Sequence, residues 1–203
     1  FYFKESIKVP KFPAPKYPHP KWDWRNICEK YPIAQMGITS EVIKCAIPSE
    51  DNKYPVKAMM IAGTNITKSI PQKELLEKAM DEMEFIVVMD TMPMAVTGYA
   101  DVVLPECTYL ERYDGIRSAT NREPSIAVRV PAVEPKYDSK PGWWVAKQIG
   151  ERVGLGDYFN YDDYKEVIEW QLQKMGTSLE EMNKIGVKHF PRTSGPLYMD
   201  ENK

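Results

Sequence analysis

Three short apolar runs, separated by polar or helical stretches, constrain the fold of this 203-residue chain more than any other feature. They comprise residues 56–62, 85–89 and 102–104, and the residues that follow them are Gly63, Asp90 and Pro105. Runs of this length are typical of buried strands in parallel sheets. A segment with helical spacing of apolar side chains, residues 71–83, lies between the first two runs. The alternation predicts an open, mainly parallel, Rossmann-like α/β sheet flanked by helices.

The remaining segments complete this pattern. Pro71 suits the first turn of the helix at residues 71–83, whose apolar face comprises Leu75, Leu76, Ala79, Met80 and Met83. Residues 39–47 predict a short helix capped by Thr39 or Ser40, and residues 92–99 a short helix or turn. A looped stretch and then a candidate strand at residues 126–130 come next, followed by helices at 141–153 and 161–175. A further helix begins at Ser178, with Glu181 at its capping-box position, and the chain is expected to be irregular from about residue 188.

Composition divides the chain into three parts. Residues 1–36 are rich in proline and aromatic side chains, which favours an extended arm that lies across its own protein over a ligand for a proline-binding module. Residues 37–157 carry the α/β pattern, and residues 158–203 predict a helical extension and a linker to a further domain. Because the chain begins at Phe1 within proline-rich sequence, we expect it to be an internal piece of a longer polypeptide.

Charge and cysteine usage exclude several classes of function. The formal net charge of -2 gives no electrostatic reason to bind nucleic acid or an anionic membrane. Cys28, Cys45 and Cys107 are widely spaced, and only His19 and His189 offer imidazole ligands. We therefore expect plain thiols rather than a zinc site or an iron–sulfur cluster held within this chain.

Polar residues that follow the apolar runs are the candidate ligand-binding groups. In parallel α/β sheets, ligands bind at the carboxyl ends of the strands, which is where Gly63-Thr64-Asn65 and Asp90-Thr91 are expected. The glycine segment is open to two interpretations, an ordinary turn or a nest of amides that holds a phosphate. It carries neither the GxGxxG nor the P-loop pattern. Asp90 is equally open: it either accepts hydrogen bonds from a ribose or base, or caps the next helix.

Two further charged segments are weaker candidates for ligand binding, because a structural role explains each of them. Asp101, just before the third apolar run, is most simply explained as a strand-start carboxylate that backbone amides satisfy. Glu111 and Arg112 form a charged pair in a loop, which is usually solvated surface. The functional alternative is that the forked donors of Arg112 bind a phosphate or a base.

The order and spacing of these phrases resemble one domain of a known family. Ala100-Asp101-Val102-Val103-Leu104-Pro105, Tyr109-Leu110-Glu111-Arg112-Tyr113-Asp114 and Ser139-Lys140-Pro141-Gly142-Trp143-Trp144 follow Gly63-Thr64-Asn65 in the order typical of the dimethyl sulfoxide reductase family of molybdopterin oxidoreductases. The last two phrases are similar to the catalytic subunits of polysulfide and thiosulfate reductases. The resemblance covers roughly residues 30–185 and corresponds to the third domain of those subunits.

The resemblance implies cofactor and site residues. The whole subunit would carry molybdenum or tungsten on two molybdopterin guanine dinucleotides, with a 4Fe–4S cluster in an N-terminal domain. Asn65 would contact the phosphates or pterin, Met89 and Asp90 the guanosine, and Arg112 would approach the nucleotide. The candidate cofactor-binding residues are Gly63, Thr64, Asn65, Met89, Asp90, Thr91, Asp101 and Arg112. Gly142 departs from the family, in which an Asp near this place often contacts the nucleotide.

The resemblance also implies partners and a location. The domain would work with the rest of its own subunit, with an iron–sulfur electron-transfer subunit and with a membrane anchor, on the extracytoplasmic side of a membrane. By itself it would be inactive, and no residue in it is a candidate for catalysis or for binding the metal. The alternative is a non-catalytic α/β scaffold or assembly domain that keeps the fold without the pterin cofactor.

Overall fold

The computed structural model describes residues 7–16, 43–50, 52, 54–119 and 123–191. The predicted Thr39 or Ser40 cap, Cys28, His19 and most of the predicted arm lie outside these residues. The strands are β1 (Ala58–Ala62), β2 (Phe85–Asp90), β3 (Val102–Pro105), β4 (Asp114–Ala119), β5 (Ser125–Arg129) and β6 (Val187–His189). The α-helices are α1 (Ile66–Ser69), α2 (Lys73–Asp81), α3 (Gly142–Arg152), α4 (Tyr164–Lys174) and α5 (Leu179–Ile185). Short 3-10 helices span Ile43–Ala46, Ala95–Tyr99 and Gly156–Tyr158.

The chain forms two compact units, each built around one sheet. The parallel-sheet unit comprises Lys16–Glu106 and Asp138–Gly142. The antiparallel-sheet unit comprises Phe1–Pro15, Cys107–Tyr137 and Trp143–Lys203. In the antiparallel-sheet unit, β4 pairs with β5 and β5 pairs with β6, and none of the three pairs with a parallel strand. The predicted boundaries of the α/β domain, residues 37 and 157, stay a prediction.

The parallel-sheet unit contains the three strands that the apolar runs predict. Their order is β1-β2-β3, and both pairings are parallel, with Ile61 opposite Val88 and Met89 opposite Leu104. The edge position of β3 explains why Pro105 is tolerated as its last residue, since an edge strand leaves one row of N–H groups unpaired. The predicted parallel α/β arrangement of this part of the chain is therefore confirmed.

One face of the parallel sheet carries the core of its unit. Ile61, Ile86 and Val88 are almost fully buried against α2 and the short helices around it. The buried side chains of α2 are Leu76, Ala79 and Met80, as the helical spacing predicts. The helix begins later than predicted, however. Gln72, with a φ of 64°, precedes the first residue, so Pro71 lies outside the first turn.

The other face of the parallel sheet is apolar and largely uncovered by the described residues. Met60, Phe85 and Val102 leave 43%, 45% and 38% of their surfaces exposed. Met60 and Phe85 alternate along β1 and β2 with the buried Ile61 and Ile86, as the two-residue period of a strand requires. Parallel sheets are normally covered on both faces, whereas the described residues leave this face largely exposed.

The antiparallel-sheet unit was only partly predicted. Its sheet has the order β4-β5-β6, and both pairings are antiparallel. The prediction of β5 at residues 126–130 is confirmed within one residue, whereas β4 and β6 were expected to be irregular. β4 was missed because its sequence, DGIRSA, has neither an apolar run nor a clear alternation. The strand predicted at residues 126–130 therefore belongs to a separate antiparallel sheet and not to the mainly parallel sheet predicted within residues 37–157.

Helices α4 and α5 cover the antiparallel sheet. Ile126 of β5 is buried with Ile168 and Leu172 of α4 and Met182 of α5. Asp163 caps α4 by accepting from the Lys165 N–H at 2.9 Å, so the helix begins three residues after the predicted start. Ser178 caps α5 as predicted, but Glu181 accepts from the Thr177 hydroxyl instead of closing a capping box.

Residues 7–15 have no regular secondary structure and belong to the antiparallel-sheet unit. The Gln171 side chain donates to the Pro10 carbonyl at 2.7 Å, and that of Asn160 to the Pro13 carbonyl at 3.1 Å. Phe12 meets the Trp170 ring edge-on, with 5.5 Å between ring centroids. Within the described residues, no helix is long and apolar enough to cross a membrane.

Candidate functional site at the carboxyl edge of the parallel sheet

The register of the parallel strands brings three polar strand ends to one edge of the sheet. Gly63 follows β1 and donates its N–H to the Met89 carbonyl at 3.0 Å. Asp90 ends β2, and its carbonyl accepts the N–H of Glu106, just beyond β3, at 3.0 Å. This is the edge at which ligands bind in α/β sheets. The predicted meeting of residues 63–65 with residues 90–91 is consistent with this register.

Gly63 shapes the turn that leaves β1. Its φ of +61° lies in the left-handed region, where a side chain is strained, and nothing lies within 4 Å of the position that a Cβ would take. Thr64, which follows, is exposed, and its side chain has no partner among the described residues. The backbone of this turn and the Thr64 hydroxyl are therefore accessible to a ligand.

Asn65 connects this turn to α1. Its carbonyl accepts from the N–H groups of Lys68 and Ser69, and its Oδ1 accepts from the Thr67 hydroxyl at 2.6 Å. In the described part of the chain, the side-chain amide Nδ2 of Asn65 has no protein acceptor. Because the acceptor side of the amide is engaged and the donor side is available, Asn65 is suited to donate hydrogen bonds to an anionic group.

Asp90 is partly buried at the end of β2. Its Oδ1 accepts from the N–H of Thr91 at 2.7 Å, while Oδ2 has no partner among the described residues. The alternative in which Asp90 caps the following helix is excluded, because the 3-10 helix begins at Ala95 and its cap is Met94. Met89, the residue before Asp90, is 6% exposed, and its Cε lies 3.3 Å from the position that a Cβ on Gly142 would take.

Asp101 does not join these residues. Its Oδ2 accepts from the Ile86 N–H at 2.7 Å, and its own N–H donates to the Ile86 carbonyl at 2.9 Å. Ile86 is at the start of β2, so Asp101 lies at the amino edge of the sheet, opposite to Asp90. The structural interpretation, a strand-start carboxylate satisfied by backbone, describes its contacts.

Arg112 belongs to the antiparallel-sheet unit and is already engaged there. Its Nε donates to Asp114 Oδ1 at 3.0 Å, and its guanidinium donates to the Cys107 carbonyl at 2.9 Å. Arg129 binds the other oxygen of Asp114 at 2.6 Å. These contacts stabilise the loop before β4, and the role of Arg112 toward a nucleotide stays a prediction.

Glu111, next to Arg112, closes the same loop. Its carboxylate accepts from both the N–H and the hydroxyl of Thr108 at 2.8 Å, and from the Lys136 N–H at 3.0 Å. Hydrogen bonds from Thr108 and then Lys136 hold the pKa of Glu111 below its usual value. Glu111 is therefore a loop-closing residue rather than the solvated surface charge that the sequence suggested.

The sequence interpretation did not include Glu106 among the edge residues, and it named Gly142 only as a departure from the family. Residues 138–142 return to the parallel-sheet unit, where Lys140 forms a parallel bridge with Glu106 and donates its N–H to the Pro105 carbonyl at 3.1 Å. A Cβ on Gly142 would lie 3.0 Å from Glu106 Oε1. The available signal for Glu106 was position alone, since it comes directly after Pro105, the last residue of β3.

The carboxyl edge of the parallel sheet thus carries an open glycine turn, an available side-chain amide and a carboxylate. These groups are typical of an α/β domain that binds a ligand at this edge. Residues 29–152 match the family described as Molybdopterin oxidoreductase, and this match spans more than half of the chain. The chain belongs to that family, as its sequence phrases predict.

Individual relatives agree with this assignment. The chain is 30% identical to the thiosulfate reductase molybdopterin-containing subunit PhsA of Salmonella typhimurium, over 77% of this chain and 20% of that protein. It is 36% identical to a nitrate reductase of Symbiobacterium thermophilum, over 60% of this chain and 16% of the relative. Acetylene hydratase from Pelobacter acetylenicus shares the fold with a TM-score of 0.64 at 23% identity, over 80% of this chain and 22% of that one. The chain thus spans about a fifth of these relatives' length.

Proposed function

We propose that this chain holds the nucleotide end of one molybdopterin guanine dinucleotide in a molybdenum or tungsten oxidoreductase. The observation that carries the proposal is the set of open groups at the carboxyl edge of the parallel sheet, in a chain of the molybdopterin oxidoreductase family. Of the two relatives compared by sequence, thiosulfate reductase PhsA matches over the larger share of this chain, 77% against 60%. We therefore propose an inorganic sulfur compound, such as polysulfide or thiosulfate, as the substrate of the whole subunit.

The glycine turn fits the phosphate part of such a cofactor. Gly63 has no side chain to obstruct a phosphate, and its surroundings are open. Asn65 has donor hydrogens on Nδ2 without a protein acceptor in the described residues, and Thr64 adds an exposed hydroxyl. Amide and hydroxyl donors are the groups that bind phosphate oxygens without requiring a lysine or an arginine.

The end of β2 fits the guanosine part. A ribose hydroxyl or the N1–H and amino group of guanine need acceptors, and Asp90 Oδ2 is available for that purpose. Thr91 holds the other oxygen, which orients the carboxylate before a ligand arrives. We propose that Met89, which precedes Asp90 and is buried, contacts the guanosine together with it. Asp101 contacts backbone at the opposite edge and is not part of this proposed site.

The metal on the pterin cofactor would supply the two-electron chemistry, while this chain positions the cofactor. No described residue of the chain is proposed to touch the substrate or the metal. The exposed apolar face of β1, β2 and β3 supports a further proposal, that other domains of a longer subunit cover it, because such a face is costly to leave in water.

The remaining proposals concern the whole enzyme. PhsA is described as a molybdopterin-containing subunit, which implies an assembly in that protein. We propose that the present protein likewise passes electrons through a 4Fe–4S cluster outside this chain to an iron–sulfur subunit and a membrane anchor. We also propose an extracytoplasmic location. Both proposals follow from the family resemblance of the sequence phrases.

Metal and nucleotide analysis of the full-length native protein tests the central proposal. We expect about one molybdenum or tungsten per chain, with guanine nucleotide released on denaturation. Neither metal nor guanine in carefully prepared protein would instead favour a scaffold that has kept the fold without the cofactor.

A pair of variants connects that result to the site. Asn65→Ala removes the available donor and should reduce the guanine nucleotide retained per chain about tenfold, as loss of a hydrogen bond to a charged group does. Asn183→Ala, at an exposed position of α5, is the matched control and should retain as much as the wild type. Equal retention by both variants would remove Asn65 from the site.

A further inference from the structure

Glu106 lies at the same sheet edge as Asp90, one strand away. It follows the last residue of β3, and its N–H donates to the Asp90 carbonyl at 3.0 Å. Neighbouring strands are about 4.8 Å apart, so the two backbones approach within one strand spacing. Glu106 is partly buried, which is uncommon for a carboxylate that serves only as a solvated surface charge.

Gly142 leaves the space in which the Glu106 carboxylate lies. A Cβ at residue 142 would be 3.0 Å from Glu106 Oε1 and 3.3 Å from Met89 Cε, closer than side chains normally pack. The φ of Gly142 is not positive, so the backbone does not require glycine there. The close approach of Glu106 and Met89 is the physical reason for a glycine at this position.

The nucleotide proposed above presents more donors than Asp90 can accept. Guanine has an N1–H and an amino group side by side, and the ribose adds hydroxyls. Asp90 has already committed one oxygen to the Thr91 N–H. A second carboxylate at the same edge would divide these donors between two residues.

We propose that Glu106 is a second nucleotide-positioning carboxylate, which accepts from the base edge of guanine while Asp90 accepts from the ribose. Gly142 permits this arrangement because it keeps the space beside Glu106 clear. The inference rests on the proposed function, since it assigns a residue of that same site.

Nucleotide retention in the full-length protein is the first test. Glu106→Gln keeps the size of the side chain but removes its charge, and Gly142→Ala displaces the carboxylate without changing it. We expect both variants to retain about tenfold less guanine nucleotide per chain after gel filtration, as loss of a charge-assisted hydrogen bond predicts. Glu77→Gln, on the exposed side of α2, is the control and should match the wild type.

Base selectivity separates a positioning role from a structural one. In cofactor-free full-length protein, the wild type should bind GMP about tenfold more tightly than IMP, which lacks the amino group. Glu106→Gln should lose that preference, whereas a merely structural change would weaken both nucleotides equally. Unchanged preference and retention in Glu106→Gln would overturn the inference but leave the proposed function intact. A wild type that holds no guanine nucleotide would overturn both.

Discussion

The carboxylates of Asp90 and Asp101 lie at opposite edges of the same parallel sheet. Asp101 accepts from the Ile86 N–H near the start of β2, whereas Asp90 ends that strand. Asp90 is four positions beyond Ile86, which corresponds to about 13 Å along a strand. Two aspartates that look equivalent in the sequence therefore have different surroundings, and different effects follow from their substitution.

Asp90→Asn should weaken cofactor retention much more than folding. The asparagine can still accept from Thr91, so the turn survives, but the charge that favours ribose or guanine donors is lost. Loss of charge-assisted hydrogen bonds costs about 1.5–3 kcal/mol, so we expect about tenfold to hundredfold lower retention. Molybdenum and guanine analysis of the full-length variant, together with its melting temperature, checks this. Equal losses of retention and stability would contradict it.

Asp101→Ala should show the reverse pattern. Without its carboxylate, the Ile86 N–H loses a 2.7 Å hydrogen bond at the start of β2. We expect a loss of about 1 kcal/mol in the free energy of unfolding, the usual effect of one hydrogen bond. Guanine nucleotide per folded chain should stay at the wild-type value. Normal stability with reduced nucleotide would instead restore Asp101 to the cofactor site.

Gly63→Ala tests the left-handed turn after β1. Because nothing lies within 4 Å of the new Cβ, the cost should come from the φ of +61° alone, about 1–2 kcal/mol. Gly98→Ala is the matched control, since its Cβ also meets nothing within 4 Å and its φ is not positive. Chemical denaturation of the two variants should separate them. Equal stabilities would show that the turn relaxes without strain.

The parallel half of the fold was predictable because each strand there is an unbroken apolar run. The sequence of β2, FIVVMD, is such a run and predicts the strand directly. Its pairing with β3 brings Asp90 beside Glu106. The antiparallel half was not predictable in the same way. β4 pairs with β5 across a register shift between Asp114 and Arg117, and such a pairing leaves no periodic signal in the sequence.

The candidate site was likewise predictable only in part. Glycine, amide and carboxylate residues directly after strands were identified from position, and the parallel register explains why they meet. The separation of Asp101 from them depends on which end of a strand it occupies, and the approach of Gly142 to Glu106 depends on a segment that returns from far along the chain. Neither relationship is local, so no motif could reveal it.

Glu111→Gln should weaken the loop before β4 in a pH-dependent manner. Hydrogen bonds from Thr108 and then Lys136 lower the folded-state pKa of Glu111. A lowered pKa stabilises the fold above the ordinary glutamate value of about 4.3, and the effect is lost as pH falls through the folded-state pKa.

Amide hydrogen exchange at Thr108 and Lys136 measures this effect. At neutral pH, we expect lower protection of both amides in Glu111→Gln than in the wild type, because glutamine has only one acceptor oxygen for three donors. The difference should narrow as the pH falls below the usual glutamate pKa. A difference that stays constant across this range would show that the charge of Glu111 contributes nothing.

Gly150→Ala should be strongly destabilising, because α3 packs its buried glycine against the ring of Phe159. A Cβ at residue 150 would lie 2.8 Å from Phe159 Cδ2, a separation that real side chains do not adopt. Overpacking of this kind costs about 1–3 kcal/mol. Gly156→Ala, whose Cβ meets only ordinary contacts at 3.8 Å, is the control. Adding Phe159→Leu to Gly150→Ala should recover part of the loss, because the smaller side chain makes room. A double variant in which the two losses simply add would show that Gly150 is required for another reason.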